Sequence, residues 1–133
     1  MIKKLKIFTV DDEISITEIV CEFLELFVHT DVFTSNNSKE AIHRLGEEKF
    51  DLIITDHFMP EFTGIDLLKS VRQVNSINLE TPVFILTSLH SEVEQEINGI
   101  FDHTKVLNKV ESLHLIGTHV LDVFPDFKNP LAN

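Results

Sequence analysis

Short apolar runs alternate with longer amphipathic stretches along this chain of 133 residues, and that alternation constrains the fold more than any other feature. From Ile16 to Phe27 the apolar residues recur with the i, i+3, i+4, i+7 spacing of a helix that buries one face. Residues 52–54 form a continuous apolar run instead, which is typical of a strand covered on both faces. Strands that alternate with helices of this length predict βα units and a parallel sheet.

The same pattern predicts five strands in all, at residues 7–10, 32–33, 52–54, 83–86 and 105–107, with a last helix over residues 113–124. Because crossovers between parallel strands are right-handed, the helices are expected on both faces of the sheet. We therefore expect a doubly wound α/β fold of the flavodoxin-like class, with strand order 2-1-3-4-5. One domain is expected over residues 1–124, followed by a loose C-terminal tail over residues 125–133.

Local signals mark where two of the helices begin. Asn37 followed by Glu40, and Ser91 followed by Glu94, have the spacing of capping boxes. Gly99 is expected to close the helix that starts near Ser91, because glycine is the commonest residue just past a helix end.

Charge and cysteine content exclude several classes of function. The chain has 22 acidic and 11 basic residues, and its net charge of −11 disfavours direct binding to nucleic-acid phosphates. No stretch approaches 18 consecutive apolar residues, so no membrane span is expected. Cys21 is the single cysteine. It excludes an internal disulfide, suits a cytoplasmic location and is expected to be a small buried residue.

Polar side chains follow four of the predicted strands where each strand ends. Asp11 and Asp12 follow the first strand, Asp56 the third, Thr87 the fourth and Lys109 the fifth. In open parallel sheets, ligands bind at the carboxyl ends of the strands. With strands one and three adjacent, three carboxylates are expected to converge there, beside a hydroxyl and an ammonium group.

Three neighbouring carboxylates repel one another unless a cation lies among them. Hard oxygen ligands in an incomplete cage suit Mg²⁺, or Mn²⁺, which shares its coordination with waters and phosphate oxygens. A carboxylate can also attack phosphorus and form an acyl phosphate. Positioning and charge neutralisation then supply most of the catalysis of phosphoryl transfer. The sequence therefore predicts a phosphoryl-transfer site built on an aspartate.

The chain resembles the receiver domains of response regulators, the CheY-like family, from its first predicted strand to its last helix. The matching residues are Asp11-Asp12, the block of residues 51–60 (DLIITDHFMP), Gly64, Thr87 and Lys109. The resemblance implies that Asp56 is the phosphoryl acceptor. It also implies that Asp12 binds Mg²⁺ directly, Asp11 mainly through water, and Phe58 through its backbone carbonyl.

The resemblance further implies that Thr87 bonds a phosphoryl oxygen and that Lys109 pairs with the phosphoryl group. Two residues depart from the family pattern. Val110 stands where a proline usually follows the lysine, so a trans bond and a shifted lysine are expected there. Val106 stands where many members have the aromatic residue of the switch. The phosphorylation site is therefore better supported than the usual coupling between threonine and aromatic residue.

Some residues near the expected site have two readings. Lys105 is an alternative to Lys109, although Lys109 is favoured because it follows the strand instead of starting it. His57 borders Asp56 and is read as an exposed residue, with a role in access or dephosphorylation as the less favoured alternative. Phe58 and Phe62 fit either the core or a docking surface for a kinase.

The leading hypothesis is a stand-alone phospho-receiver and not a conventional enzyme. A histidine kinase or histidine-phosphotransfer protein would be its donor, and its output would reach a downstream protein by direct contact or by onward phosphotransfer. The second hypothesis is a pseudo-receiver, an interaction module that is not phosphorylated in use, motivated by Val106 and Val110. A phosphatase of the haloacid dehalogenase type is disfavoured, since Phe58 occupies the position of its second aspartate. A flavodoxin-type flavin carrier is disfavoured because acids replace its phosphate loop.

Overall fold

Five strands form one parallel sheet in the computed structural model, which describes residues 3–97 and 101–132. The strands are β1 (Leu5–Val10), β2 (Thr30–Ser35), β3 (Leu52–Asp56), β4 (Val83–Thr87) and β5 (Thr104–Asn108). Their order in the sheet is β2-β1-β3-β4-β5. This confirms the expected doubly wound fold and its strand order.

Helices cover both faces of the sheet. They are α1 (Ile14–Phe27), α2 (Ser38–Leu45), α3 (Gly64–Val71), α4 (His90–Ile97), α5 (Lys109–Ser112) and α6 (Ile116–Val123). One core contains side chains of α2, α3 and α4, and the other contains side chains of α1 and α6. The central strands β3 and β4 are buried at every position, as the continuous apolar runs indicated.

The last helical segment differs from the prediction of one helix over residues 113–124. A 3₁₀ turn at Leu113–Leu115 separates α5 from α6, and the helical segment already begins at Lys109. Asn108 caps it, because its side chain accepts a hydrogen bond of 3.1 Å from the backbone N–H of Glu111. The 113–124 pattern missed this start because the first turn after the cap has few apolar residues.

Of the two helix starts predicted from capping boxes, one is confirmed and one is wrong. Asn37 does cap α2, since its side chain accepts a hydrogen bond from the backbone N–H of Glu40. Ser91 was wrongly assigned as a cap, because α4 begins at His90 and Ser91 lies inside the helix. The predicted end of α4 at Gly99 lies outside the described residues. An unpredicted capping box starts α3, where Thr63 and Asp66 bond to each other's backbone N–H groups.

Asn78 is fully buried and connects the loops that precede β3 and β4. Its side-chain amide donates to the carbonyls of Leu45 and Glu48 at 2.7 and 2.9 Å. Its side-chain carbonyl accepts from the backbone N–H of Phe50 at 3.0 Å and from the Thr81 hydroxyl at 2.9 Å. These four bonds satisfy a buried amide that would otherwise cost free energy, so Asn78 fixes the entries to β3 and β4.

Within residues 125–132 the chain makes defined contacts, contrary to the expectation of a loose tail. A second 3₁₀ turn, Pro125–Phe127, follows α6, and Lys128 pairs with Val28 in an antiparallel bridge. The carbonyl of Phe127 accepts a hydrogen bond of 2.6 Å from the backbone N–H of His29. The tail therefore covers the C-terminal end of α1, a contact between segments about a hundred residues apart that no local pattern indicates.

Two further expectations were a buried Cys21 and the absence of a membrane span. Cys21 is half-buried in α1 and not fully buried, since α1 turns it toward the edge of its apolar face. Within residues 3–97 and 101–132, no helix combines the length and apolarity needed to cross a bilayer.

Candidate phosphoryl-transfer site

The sheet register brings the predicted carboxylates together at one edge. Val10 pairs with Thr55 in the adjacent parallel strands, so Asp11 and Asp56 follow at neighbouring positions. Asp11, Asp12 and Asp56 each offer a carboxylate oxygen, and these oxygens all lie within 4.8 Å of one another. Asp11 and Asp56 are buried, whereas Asp12 is exposed at the mouth of the site. The convergence expected from the sequence is therefore present.

Lys109 reaches into this cluster. Its Nζ donates a hydrogen bond of 2.8 Å to Oδ2 of Asp11 and lies 3.4 Å from Oδ1 of Asp56. Lys105 instead places its Nζ over the ring of Phe84, 6.0 Å from the ring centroid. The geometry therefore favours Lys109 as the site lysine. No cis peptide bond occurs among the described residues, so Val110 follows Lys109 through a trans bond, as expected.

Backbone groups hold both buried carboxylates in place. Oδ1 of Asp11 accepts a hydrogen bond of 2.9 Å from the backbone N–H of Glu13, which precedes α1. Oδ1 of Asp56 accepts one of 2.8 Å from the backbone N–H of His57. Asp11 thus supports the loop before α1 while its carboxylate also faces the site.

Burial, and after it the negative charge of Asp11, raise the pKa of Asp56 from 3.8 to about 6. The Lys109 ammonium and the His57 N–H oppose this rise only in part. Burial also acts to lower the pKa of Lys109, but its hydrogen bond and charge contacts with Asp11 and Asp56 raise it overall. Asp56 is therefore ionised at neutral pH and Lys109 is charged.

The donor set fits a small divalent cation. Three carboxylates face a single ammonium group, so the site has an excess of negative charge that a hard cation would neutralise. Asp11, Asp12 and Asp56 would hold Mg²⁺ or Mn²⁺ there. The backbone carbonyl of Phe58, two residues beyond Asp56, stays a predicted ligand. The side chain of Phe58 points away from the core and is 55% exposed.

Millimolar Mg²⁺ is expected to raise the unfolding midpoint of the protein, because a ligand that binds only the folded state stabilises it. Asp12→Asn removes the exposed carboxylate of the cluster and is expected to abolish most of this rise. Thermal unfolding with Mg²⁺ and with chelator measures the effect. Asp31→Asn is the matched control, since Asp31 is an exposed aspartate on the edge strand β2. An equal Mg²⁺ effect in both variants would contradict the assigned cluster.

Thr87 ends β4 one residue beyond Leu86, which pairs with Asp56. Its hydroxyl oxygen is buried and accepts a hydrogen bond of 3.0 Å from the backbone N–H of Leu89. This hydrogen bond stabilises the turn that follows β4. Because this bond uses only an acceptor site, the O–H group still has a proton to donate to a phosphoryl oxygen.

Gly64 allows the loop after Asp56 to fold back against the strand. A Cβ atom at Gly64 would lie 2.5 Å from the carbonyl oxygen of Asp56 and 3.0 Å from the Cα of His57. The backbone N–H of Gly64 donates a hydrogen bond of 2.8 Å to the carbonyl of His57. The glycine matched in the sequence is therefore required by a close approach of backbone to backbone directly at the acceptor.

The rest of this loop is held by Ser38, a residue that no motif in the sequence marks. Its hydroxyl donates a hydrogen bond of 2.6 Å to the carbonyl of Pro60 and accepts one of 3.2 Å from the N–H of Phe62. Between them, Glu61 has a φ of 71°, a left-handed conformation uncommon for residues other than glycine. The first turn of α2 thus fixes the shape of the acceptor loop, while Phe62 stays 38% exposed.

His57 is buried, and the expectation that it is exposed was wrong. Side chains alternate along a strand, so the residue after Asp56 points to the opposite face of the sheet, under α3 and α4. Its ring packs edge-on against Phe58, with the ring centroids 4.7 Å apart. Burial lowers the pKa of His57. The ring is therefore neutral at physiological pH and lies on the far side of the strand from the carboxylate cluster.

The family model described as "Response regulator receiver domain" matches residues 7–116. Among curated proteins, a transcriptional regulatory protein CpxR homolog of Haemophilus influenzae is 37% identical over 90 residues, covering 68% of this chain and 37% of that protein. Transcriptional regulatory protein CrdR of Helicobacter pylori is 38% identical over 84 residues, covering 63% and 38%. The chain thus spans under two fifths of the length of these relatives.

Solved structures agree with this match. Chemotaxis protein CheY4 of Vibrio cholerae superposes with a TM-score of 0.78 and 30% sequence identity, covering 91% of this chain and 99% of that one. The receiver domain of the Francisella response regulator 1452 gives a TM-score of 0.75 with 28% identity, covering 92% and 98%. The similarity therefore extends over nearly the whole of both structures.

Proposed function

The chain belongs to the response regulator receiver domain family, and from this premise we propose that it accepts a phosphoryl group on Asp56 with the help of Mg²⁺. The proposal concerns the receiver part, which is the part that these relatives share with this chain. One observation supports it above the others. Three carboxylates and a lysine meet at the carboxyl edge of the sheet, with Lys109 2.8 Å from Asp11 and 3.4 Å from Asp56.

The reaction needs an ionised and accessible nucleophile. With a pKa of about 6, the Asp56 carboxylate is mostly ionised at pH 7. One of its oxygens attacks the phosphorus of the donor, the bond from phosphorus to the donor breaks, and an acyl phosphate forms. A bound divalent cation would neutralise charge on the transferring group. Lys109 and the Thr87 hydroxyl would bind its oxygens, which keeps the group aligned with the carboxylate.

A histidine kinase or a histidine-phosphotransfer protein is the proposed donor, and a downstream protein is the proposed recipient of the signal. The acidic surface argues against direct contact with nucleic acid. Because Val106 replaces the usual aromatic residue, the readout is proposed to begin at Thr87 and the loop after it instead of at a rotating ring. The chain is proposed to act in the cytoplasm, as a receiver that catalyses its own phosphorylation and slow dephosphorylation and not as a conventional enzyme.

Incubation with acetyl phosphate, followed by measurement of intact mass, tests the proposal. Mass is the appropriate readout because the chain contains no tryptophan to report by fluorescence. We expect a gain of one phosphoryl group with Mg²⁺ and no gain with chelator. A folded protein that binds Mg²⁺ but gains no mass would contradict the proposal. That result would favour an interaction module that is not phosphorylated in use.

A further inference from the structure

A small cavity lies directly behind the buried carboxylates, between the sheet and α1. Its volume is about 10 Å³. It is lined by the polar residues Thr9, Asp11, Thr17, Thr55 and Asp56 and by apolar residues of the adjacent strands and α1. Most of the lining surface is apolar, and its polar part includes the threonines and the two carboxyl groups of the site.

Thr9 brings an unpartnered hydroxyl to this cavity. The residue is 2% exposed, and its Oγ1 has no hydrogen-bond partner within the described part of the chain. Side chains alternate along a strand, so Thr9 faces the same side of the sheet as Asp11. Thr9 also pairs with Ile54, two residues before Asp56 in β3. The free hydroxyl thus lies one row behind both carboxylates.

The other hydroxyls that line the cavity are already bonded. Thr17 donates to the carbonyl of Ile14 at 2.9 Å and accepts from the side-chain amide of Asn36 at 3.1 Å. The Thr55 side chain points to the opposite face of the sheet, where its hydroxyl donates to the carbonyl of Asp56 at 2.8 Å. A buried hydroxyl without a partner costs free energy, and among the described residues that line the cavity only Thr9 has such a hydroxyl.

We infer that the cavity holds one water molecule, which bonds to the Thr9 hydroxyl and donates hydrogen bonds to the inner sides of Asp11 and Asp56. A volume of about 10 Å³ is close to the smallest that accommodates a water, and the water would have three polar partners. Each carboxylate can accept about four hydrogen bonds, so both retain the capacity. Thr9 is then a positioning residue for the acid cluster.

This inference rests on the proposed metal-binding function, because its measurable consequence is a change in the affinity for Mg²⁺. Partners behind metal ligands orient those ligands, and their loss typically weakens metal binding by about tenfold or more. Through a water the effect is smaller. Loss of the Thr9 hydroxyl is therefore expected to raise the Kd for Mg²⁺ about 3- to 10-fold without any change in the ligands themselves.

Two variants separate the hydroxyl from the shape of the side chain. Thr9→Val keeps the branched shape and removes the hydroxyl, whereas Thr9→Ser keeps the hydroxyl. Calorimetric titration with Mg²⁺ gives the Kd, and unfolding in chelator gives the metal-free midpoint. For Thr9→Val we expect the weaker Kd and a midpoint lower by about 3–5 °C. For Thr9→Ser we expect a Kd within about twofold of that of the unmodified protein.

A dry cavity gives the opposite result. A methyl group that replaces an unsatisfied hydroxyl is neutral or stabilising, so Thr9→Val would then raise the metal-free midpoint or leave it unchanged, at an unaltered Kd. An equally weak Kd in Thr9→Ser and Thr9→Val would assign the effect to side-chain volume and would also overturn the inference. If the unmodified protein bound no Mg²⁺, the proposed metal site would fail, and the metal-free midpoints would still decide whether the water is present.

Discussion

Asp56→Asn is expected to abolish phosphoryl labelling and, without divalent cations, to make the fold more stable. Labelling is lost because an amide cannot act as the nucleophile that forms the acyl phosphate. Stability rises because the substitution removes a buried charge that faces Asp11, while the amide oxygen can still accept the hydrogen bond from the His57 N–H. One substitution therefore has opposite effects on function and on folding.

The pH dependence of this stabilisation follows from the raised pKa of Asp56. In the unfolded chain the carboxyl ionises near its usual pKa of 3.8, but in the folded protein it retains its proton up to about pH 6. Between these values the folded state binds more protons, so its stability falls as the pH rises. The loss of folding stability caused by ionised Asp56 is absent below about pH 4 and complete above about pH 6.

The rise in the pKa of Asp56 sets an upper limit on the free-energy cost of keeping this carboxylate ionised in the folded protein. The rise corresponds to at most about 3 kcal/mol, and water at the mouth of the site reduces the cost to about 1–2 kcal/mol. Urea unfolding of the unmodified protein and Asp56→Asn in chelator, at pH 4 and at pH 7, measures it. The two proteins should have similar stability at pH 4 and should differ at pH 7.

Asp31→Asn serves again as the control, because it removes an exposed carboxylate on β2 and should show no such difference. Labelling of Asp56→Asn to the same extent as the unmodified protein would place the acceptor elsewhere. A variant that is less stable than the unmodified protein at pH 7 would mean that Asp56 and Asp11 are not held in a repulsive arrangement.

Gly64→Ala is expected to destabilise the fold by about 1–3 kcal/mol and to slow labelling at Asp56 at least tenfold. The added Cβ would meet the carbonyl oxygen of Asp56 at 2.5 Å, and the obstructing atoms belong to the backbone, which cannot rotate away. The loop must therefore move off the strand, and the acceptor carboxylate must move with it. Urea unfolding and the labelling rate with acetyl phosphate and Mg²⁺ measure the two effects.

Gly46→Ala is the matched control for this substitution. Gly46 ends α2 with a φ of −78°, and its nearest contact would be the carbonyl oxygen of His43 at 3.3 Å. Alanine adopts that backbone conformation readily, so we expect a change in stability within about 0.5 kcal/mol and an unchanged labelling rate. If both variants lost labelling equally, the close approach at Gly64 would not be what holds the acceptor loop.

Features that depend on local periodicity and on the ends of strands could be predicted from the sequence. The spacing of apolar residues indicates which segments form helices, and continuous runs such as residues 52–54 indicate buried strands. In a parallel sheet the carboxyl ends of the strands share one edge. The positions of Asp11, Asp56 and Lys109 directly after strands were therefore enough to predict that they meet.

Burial and hydrogen-bond partners of individual side chains could not be predicted in this way. His57 was predicted to be exposed, but the helices packed over that face of the sheet bury it. Thr63 and Asp66 did have the spacing of a capping box, a local signal that could have been used. Ser38 carried no such signal, because its partner Pro60 lies 22 residues away.

The sequence by itself thus determined the order of the elements, the strand ends and the set of charged residues at one edge of the sheet. Only the tertiary structure decided which of those groups are buried, which backbone atoms hold them and that the Thr9 hydroxyl behind them has no partner among the described residues. The physical reason is the distance along the chain over which each kind of interaction acts. Periodicity and capping act between neighbours along the chain, whereas desolvation, close packing and the pKa of Asp56 depend on groups that only the folded sheet brings together.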